Sequence, residues 1–164
     1  MKTLYLVRHA KSDWSHAQQT DFERGLSNRG VKDLDLISNL ISSLIQVPDC
    51  LLSSPANRAF TTAKVFAEKF GLSDSDVLIE DGLYANSTKF IIKTLADTND
   101  KFQSLMIFGH NPDITSLASY FSGTYFENVP TTGVVALEFD CSSWKNIEDK
   151  NAKVLFFEYP KKHK

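Results

Sequence analysis

Apolar and polar residues alternate along the chain in blocks whose period changes. Leu4, Tyr5, Leu6 and Val7 form a short apolar run that predicts a buried strand over residues 2–8. The run stops abruptly at Arg8-His9. Residues 9–26 are polar, rich in Asp, Ser and Gln, and show no period, which predicts a long loop over the end of that strand. Val31, Leu34, Ile37, Leu40, Ile41 and Leu44 then recur at helical spacing. They predict a helix over 28–45, capped by Ser27 and broken at Pro48-Asp49. Residues 50–53 read as a second strand. Ser54-Pro55 reads as a helix start, with Ser54 as cap and Pro55 in the first position. Ala59, Phe60, Ala63, Phe66, Ala67 and Phe70 mark the inner face of that helix, over 56–69, and Gly71 ends it.

Val77-Leu78-Ile79 is a third strand, followed by a loop through Glu80-Asp81-Gly82-Leu83-Tyr84. Ser87 or Thr88 caps the next helix, with Phe90, Ile91, Thr94 and Leu95 inward. Residues 104–108 form a fourth strand that ends in Gly109-His110-Asn111-Pro112. Asn111 is the expected cap of a helix that opens with Pro112, carries Ile114, Leu117, Ala118 and Phe121 inward, and closes at Gly123. Two strands follow, over 134–139 and 153–159, with no helix between them. Residues 160–164 read as a basic, solvated end.

Strands alternate with helices as far as residue 123, which implies βαβ units and parallel pairing. The last two strands require an antiparallel pair. The expected architecture is α/β: a three-layer α/β/α sandwich around a mixed, mainly parallel six-stranded sheet, as one domain over residues 1–164.

Composition narrows the function classes. A formal net charge of −2 gives no basis for nucleic-acid binding. No apolar run reaches membrane-spanning length. Cys50 and Cys141 lack metal-type spacing and read as buried, reduced thiols. Arg8 interrupts the first apolar stretch too early for a secretory leader, so a cytoplasmic setting is expected.

The candidate chemistry sits at strand ends. A strand that ends in a cation and an imidazole needs partners for both. Arg58 lies in the first turn of its helix, where a cation opposes the helix dipole, and an anion bound there would relieve the conflict. Gly109-His110 closes the fourth strand. In a mainly parallel sheet, Arg8, His9, Arg58 and His110 converge with two helix N-termini on the carboxyl edge, where ligands of open α/β sheets sit. Arginine forks suit phosphate oxygens, so the natural occupant is a phosphoryl group. One imidazole can attack phosphorus while the other holds the transferring oxygens. This chemistry needs no metal and no cofactor.

The segments that carry this chemistry are similar to motifs of the histidine phosphatase superfamily. Leu6-Val7-Arg8-His9-Ala10-Lys11-Ser12 resembles its Arg-His-Gly motif, with Ala10 in place of Gly. Ser53-Ser54-Pro55 with Arg58, Thr62 and Ala63 resembles the second signature, and Gly109-His110-Asn111-Pro112 the third. The short chain, Arg-His-Ala-Lys-Ser and the Asp21, Arg24, Leu26, Gly30 stretch resemble the small SixA-type phosphohistidine phosphatases. The resemblance implies His9 as nucleophile, with Arg8, Arg58 and His110 as the phosphate pocket. It also implies a hydrolase in which water frees phosphate from phosphorylated His9. Ser15 occupies the place of a phosphate-contacting asparagine in related mutases, which makes it a further phosphate-binding candidate and argues against mutase activity. For the general acid, Glu80 and Asp81 are the positional candidates after the third strand, with Asp13 and Asp21 as competitors. His16 and His163 read as surface histidines.

Three activities are compatible with these residues. The first is hydrolysis of phosphohistidine on a phosphorylated protein, with inorganic phosphate as product. The second is hydrolysis of small phosphomonoesters such as sugar or nucleotide phosphates. The third is phosphate binding without turnover, for which His9 is superfluous. The chain carries no large insertion to build a lid, which favours a protein substrate.

Overall fold

The computed structural model describes residues 1–164. Its six strands form one sheet: β1 (Lys2–Arg8), β2 (Cys50–Ser53), β3 (Val77–Ile79), β4 (Ser104–Gly109), β5 (Val134–Phe139) and β6 (Ala152–Glu158). Their order is β3-β2-β4-β1-β5-β6. The pairs β3/β2, β2/β4 and β4/β1 are parallel, whereas β1/β5 and β5/β6 are antiparallel. Four helices cover the sheet: α1 (Asn28–Leu44), α2 (Asn57–Lys69), α3 (Thr88–Ala96) and α4 (Asp113–Ser122). No helix is long and apolar enough to cross a membrane.

The alternation of side chains along β1 explains the layers. Tyr5 and Val7 point to one face, where they join Leu34, Ile37 and Ile41 of α1 and Ala63, Phe66 and Ala67 of α2. Leu4 and Leu6 point to the other face. There they join Ile91 and Leu95 of α3, Ile114, Leu117 and Phe121 of α4, and the fully buried Trp144. A strand buried on both faces must be apolar throughout, which is why β1 and β4 read as continuous apolar runs.

The register places the chemistry. Arg8 pairs with Gly109, and Ser53 pairs with Phe108. The carboxyl ends of β1, β2 and β4 therefore finish level with one another. The chain after β1 is held there by backbone bonds from His9 N to Gly109 O (3.0 Å) and from Thr132 N to Arg8 O (3.0 Å). Thr62 ties this segment to α2, accepting from Ala10 N at 2.9 Å and donating to Arg58 O at 2.7 Å.

Several local expectations are corrected. Helix α2 starts at Asn57 with Ala56 as its cap and no side-chain bond there. Ser54 does not cap it, because its hydroxyl is turned to His110 instead. Helix α4 starts at Asp113 rather than Pro112; Asn111 Oδ1 still accepts from Thr115 N, but from outside the first turn. Val31 and Leu44 lie at the edge of the α1 stripe and face solvent, as does Phe90 on α3. Cys141 is only half-buried. The basic tail is exposed, as expected, but it is also folded back and ion-paired. Lys162 and His163 pair with Glu158, and Lys164 pairs with the buried Asp33 at 2.7 Å.

Gly30 is dictated by a close approach. A Cβ there would lie 2.1 Å from the backbone oxygen of Lys11, so the start of α1 can lie against the segment after β1 only without a side chain. Gly30→Ala is expected to destabilise the fold by roughly 1–3 kcal/mol, as overpacking does. Urea denaturation should show the lowered midpoint, and an unchanged midpoint would contradict the contact.

Candidate active site

His9, at the carboxyl end of β1, is only 7% exposed. Its Nδ1 lies 2.8 Å from the carbonyl oxygen of Ala10. A carbonyl can only accept, so Nδ1 carries the proton and the lone pair is on Nε2. Burial pulls the His9 pKa down to about 3, against the Ala10 bond that raises it, and the nearby His110, Arg58 and Arg8 lower it further. The imidazole is therefore neutral and nucleophilic at neutral pH.

His110 follows β4, and its ring centroid lies 5.1 Å from that of His9. Burial first, then Arg58, lowers its pKa to about 4, with Asp21 acting in the opposite direction. Its Nε2 is 2.8 Å from Ser54 Oγ, which also accepts from Ala56 N at 3.2 Å. With Ser54 donating to Nε2, the His110 proton sits on Nδ1, a buried atom without a partner. Ser54 is fully buried, so it holds the ring firmly.

Arg8 and Arg58 complete the group. Arg8 Nη1 donates to Val129 O at 3.0 Å, and burial lowers its pKa. The Nε atoms of both arginines are buried and unpaired, as is His110 Nδ1. Unpaired buried donors cost free energy, and convergent ones suit an anion.

The long first loop brings its own anion to this site. The carbonyl oxygen of Asp21 accepts from Arg58 Nη1 at 2.7 Å, and its Oδ2 accepts from Arg58 Nη2 at 3.1 Å. Oδ2 also accepts from Tyr84 Oη at 2.8 Å, and Oδ1 accepts from Arg24 Nη2 at 2.9 Å. Partial burial raises the Asp21 pKa, but the bonds from Arg24 and Tyr84 and the Arg58 charge bring it down to about 2. The same loop meets the start of α2, where Asn57 N donates to Phe22 O at 3.0 Å. The conflict between Arg58 and the helix dipole is thus relieved within the chain. Tyr84, which this loop holds through Asp21, meets the His110 ring at 5.5 Å; the largest cavity, about 830 Å³, lies elsewhere, between α4 and residues 125–128. The chain has no large insertion here; Asp21, Phe22 and Tyr84 form the rim beside the histidines.

The other sequence candidates lie apart. Glu80 accepts from Gly82 N at 3.1 Å, which turns its carboxylate into a cap of the short turn 81–83. Asp81 is exposed. Asp13 accepts from Ser15 N at 2.8 Å and lies 3.6 Å from His16. Ser15 is exposed, and its side chain reaches none of the four residues. His163 is engaged with Glu158. Tyr84, Ser54 and Arg24 were not identified by sequence reasoning as parts of the site. Ser54 lies inside the second signature, so its role as a cap hid its role as a ring holder. Tyr84 had no signal beyond its loop.

The family model of the histidine phosphatase superfamily (branch 1) matches residues 4–85, half of the chain. The chain belongs to this superfamily. The Agrobacterium tumefaciens protein assigned as phosphohistidine phosphatase SixA superposes with a TM-score of 0.82 at 26% identity, covering 97% of this chain and 98% of that one. A tungstate complex of the protein histidine phosphatase SixA gives 0.83 at 19% identity, with 99% of both chains covered. A mycobacterial glucosyl-3-phosphoglycerate phosphatase in complex with VO3 shares the fold at 0.71 and 12% identity, covering 97% of this chain and 100% of that one. In this histidine phosphatase, β1 with the first loop and β2 with α2 lie inside the matched segment, while His110 lies beyond it.

The two depressed histidine pKa values set the acid stability. Both rings are neutral when folded but take up protons near pH 6.5 when unfolded, so the unfolded chain binds more protons below that pH. Their contribution is present above pH 6.5 and is lost as pH falls toward about 4 and then about 3. Thermal unfolding should show a midpoint that declines over this window, and one that holds level would contradict the buried neutral pair.

Proposed function

We propose that the protein is a metal-independent phosphohistidine phosphatase that acts on phosphorylated protein, with His9 as nucleophile. The observation that carries this reading is that neither histidine is hydrogen-bonded by any of the four carboxylate candidates; His9 meets Ala10 O and His110 meets Ser54. Glu80 caps a turn, Asp81 is exposed, Asp13 accepts from Ser15 N, and Asp21 is held ionised by Arg24, Tyr84 and Arg58. A departing alkoxide needs a proton from a general acid. A phosphorylated imidazole that is protonated on its second nitrogen does not, because it leaves as a neutral ring.

The step balances without a proton donor. His9 Nε2 forms a bond to phosphorus, the P–N bond of the substrate breaks, and its electron pair stays on the departing imidazole. Both rings keep the protons on their other nitrogens, so the step is an exchange between two chemically equal partners. Arg8, Arg58 and the His110 Nδ1–H offset charge on the equatorial oxygens. Water then attacks phosphorus, the P–Nε2 bond breaks, its electron pair returns to Nε2, and the water protons leave on inorganic phosphate. For Arg58 to grip the phosphoryl group with both Nη atoms, Asp21 must give them up.

A second reading, hydrolysis of small phosphomonoesters, is supported by the shared fold with a sugar-phosphate phosphatase.

A turnover comparison decides between them: a phosphohistidine protein should be hydrolysed at least about a hundredfold faster, in kcat/KM, than any of a panel of sugar and nucleotide phosphates. The reverse order would establish the ester reading. His9→Ala should lower turnover by roughly a thousandfold or more while the circular dichroism spectrum is unchanged; retained turnover would remove His9 as nucleophile. Incubation with EDTA should leave the rate unaltered, and a loss restored by added metal would refute the metal-free step.

A further inference from the structure

Phosphohistidine differs from other phosphoryl donors in its leaving group, a flat aromatic ring. We infer that Tyr84 and Phe22 form a leaving-group subsite that packs against this ring, and that they set selectivity for aromatic over non-aromatic leaving groups. This rests on the phosphohistidine reading above and adds residues that lie outside the three signatures.

The placement follows from the direction of attack. His9 lies at the buried floor of the site, and in-line displacement sends the leaving group away from the attacking nitrogen. The leaving group therefore departs toward the mouth, where the rim residues are. Four rings run from floor to mouth in contact order. His9 to His110 is 5.1 Å between centroids, His110 to Tyr84 is 5.5 Å, and Tyr84 to Phe22 is 5.3 Å. The last two pairs meet edge to face, so each contact covers one face of one ring and leaves the remaining faces outside the pair. Phe22 is 42% exposed and Tyr84 is half-buried, which leaves apolar ring surface at the mouth.

The platform is also fixed. Tyr84 Oη donates to Asp21 Oδ2 at 2.8 Å, which restrains the ring. Behind it, Leu83 is buried, and Gly82 lies so close to Phe90 that a Cβ there would fall 1.9 Å from that ring. Phe22 is held through its carbonyl, which accepts from Asn57 N. The other aromatic of the loop, Trp14, has one face against the Arg24 guanidinium at 3.4 Å and stands outside this series of ring contacts. An imidazole leaving group gains dispersion and ring–ring contact on such a platform, whereas ammonia or an alkyl amine gains none.

The test compares two P–N substrates, phosphohistidine and phosphoramidate, which differ in the leaving group. Steady-state kcat/KM is measured for both with the wild type, Phe22→Ala, Tyr84→Leu and Tyr84→Phe. Whatever loss the two substrates share, the phosphohistidine-to-phosphoramidate ratio should fall roughly fivefold to tenfold in Phe22→Ala and Tyr84→Leu. Tyr84→Phe keeps the ring and should keep the ratio, even if it weakens the hold on Asp21. Equal losses on both substrates, or no change, would overturn the subsite while leaving the phosphohistidine reading intact. A wild type that hydrolyses phosphate esters but neither P–N substrate would overturn both. Phe22 is exposed, so its variant reports even if Tyr84→Leu fails to fold.

Discussion

Everything at the site depends on the parallel register of three strands. Because Arg8 stands opposite Gly109 and Ser53 opposite Phe108, three chain segments leave the sheet at one level. A slip of one residue would turn every side chain of a strand to the other face. It would move Leu4 and Leu6 out of one core and Tyr5 and Val7 out of the other. The same apolar packing that stabilises the sheet therefore also brings His9 next to His110. The hydrogen bonds from His9 N to Gly109 O and from Ala10 N to Thr62 Oγ1 then hold the segment just beyond the strand, where the sheet no longer does.

Strand positions and helix faces were legible because period and burial are properties of sequence blocks, whereas the order β3-β2-β4-β1-β5-β6 was not. The α/β class and the mixed sheet follow from that pattern, and the convergence of Arg8, His9, Arg58 and His110 follows from strand direction. Helix starts were less legible. Ser54-Pro55 satisfies every local rule for a cap, yet Ser54 lies beside His110, a partner 56 residues away, and the ring claims its hydroxyl. The pairing of the exposed tail was not legible for a similar reason: Asp33 on α1 is remote in sequence from Lys164, which it attracts. The fate of the four carboxylate candidates was the least legible. Which of them turns inward depends on the course of a long loop, and residues 9–26 carry no periodic signal to predict it.

The electrostatics of the site show how the protein tolerates clustered cations. Arg8 and Arg58 lie near two histidines, and all are largely buried. Repulsion is limited because both imidazoles stay neutral. The remaining excess charge is offset at the rim by Asp21, which also engages Arg24 and Tyr84. One half-exposed carboxylate thus organises two arginines and a tyrosine drawn from three parts of the chain. Held by these partners, Asp21 stays ionised and is a poor proton donor.

The tethering of Asp21 has a consequence for the protein in a phosphate-rich solution. A carboxylate on the same chain acts at an effective concentration set by the loop, not by the solvent. Any free anion that seeks the Arg58 fork must compete with this resident group, so its apparent affinity is reduced by the fraction of time the fork is engaged. A covalent phosphoryl donor that gains additional contacts at the rim can meet that cost, whereas bare inorganic phosphate has no such contacts. The resident carboxylate thus acts as a threshold: it raises the concentration of free phosphate needed to fill the Arg58 fork.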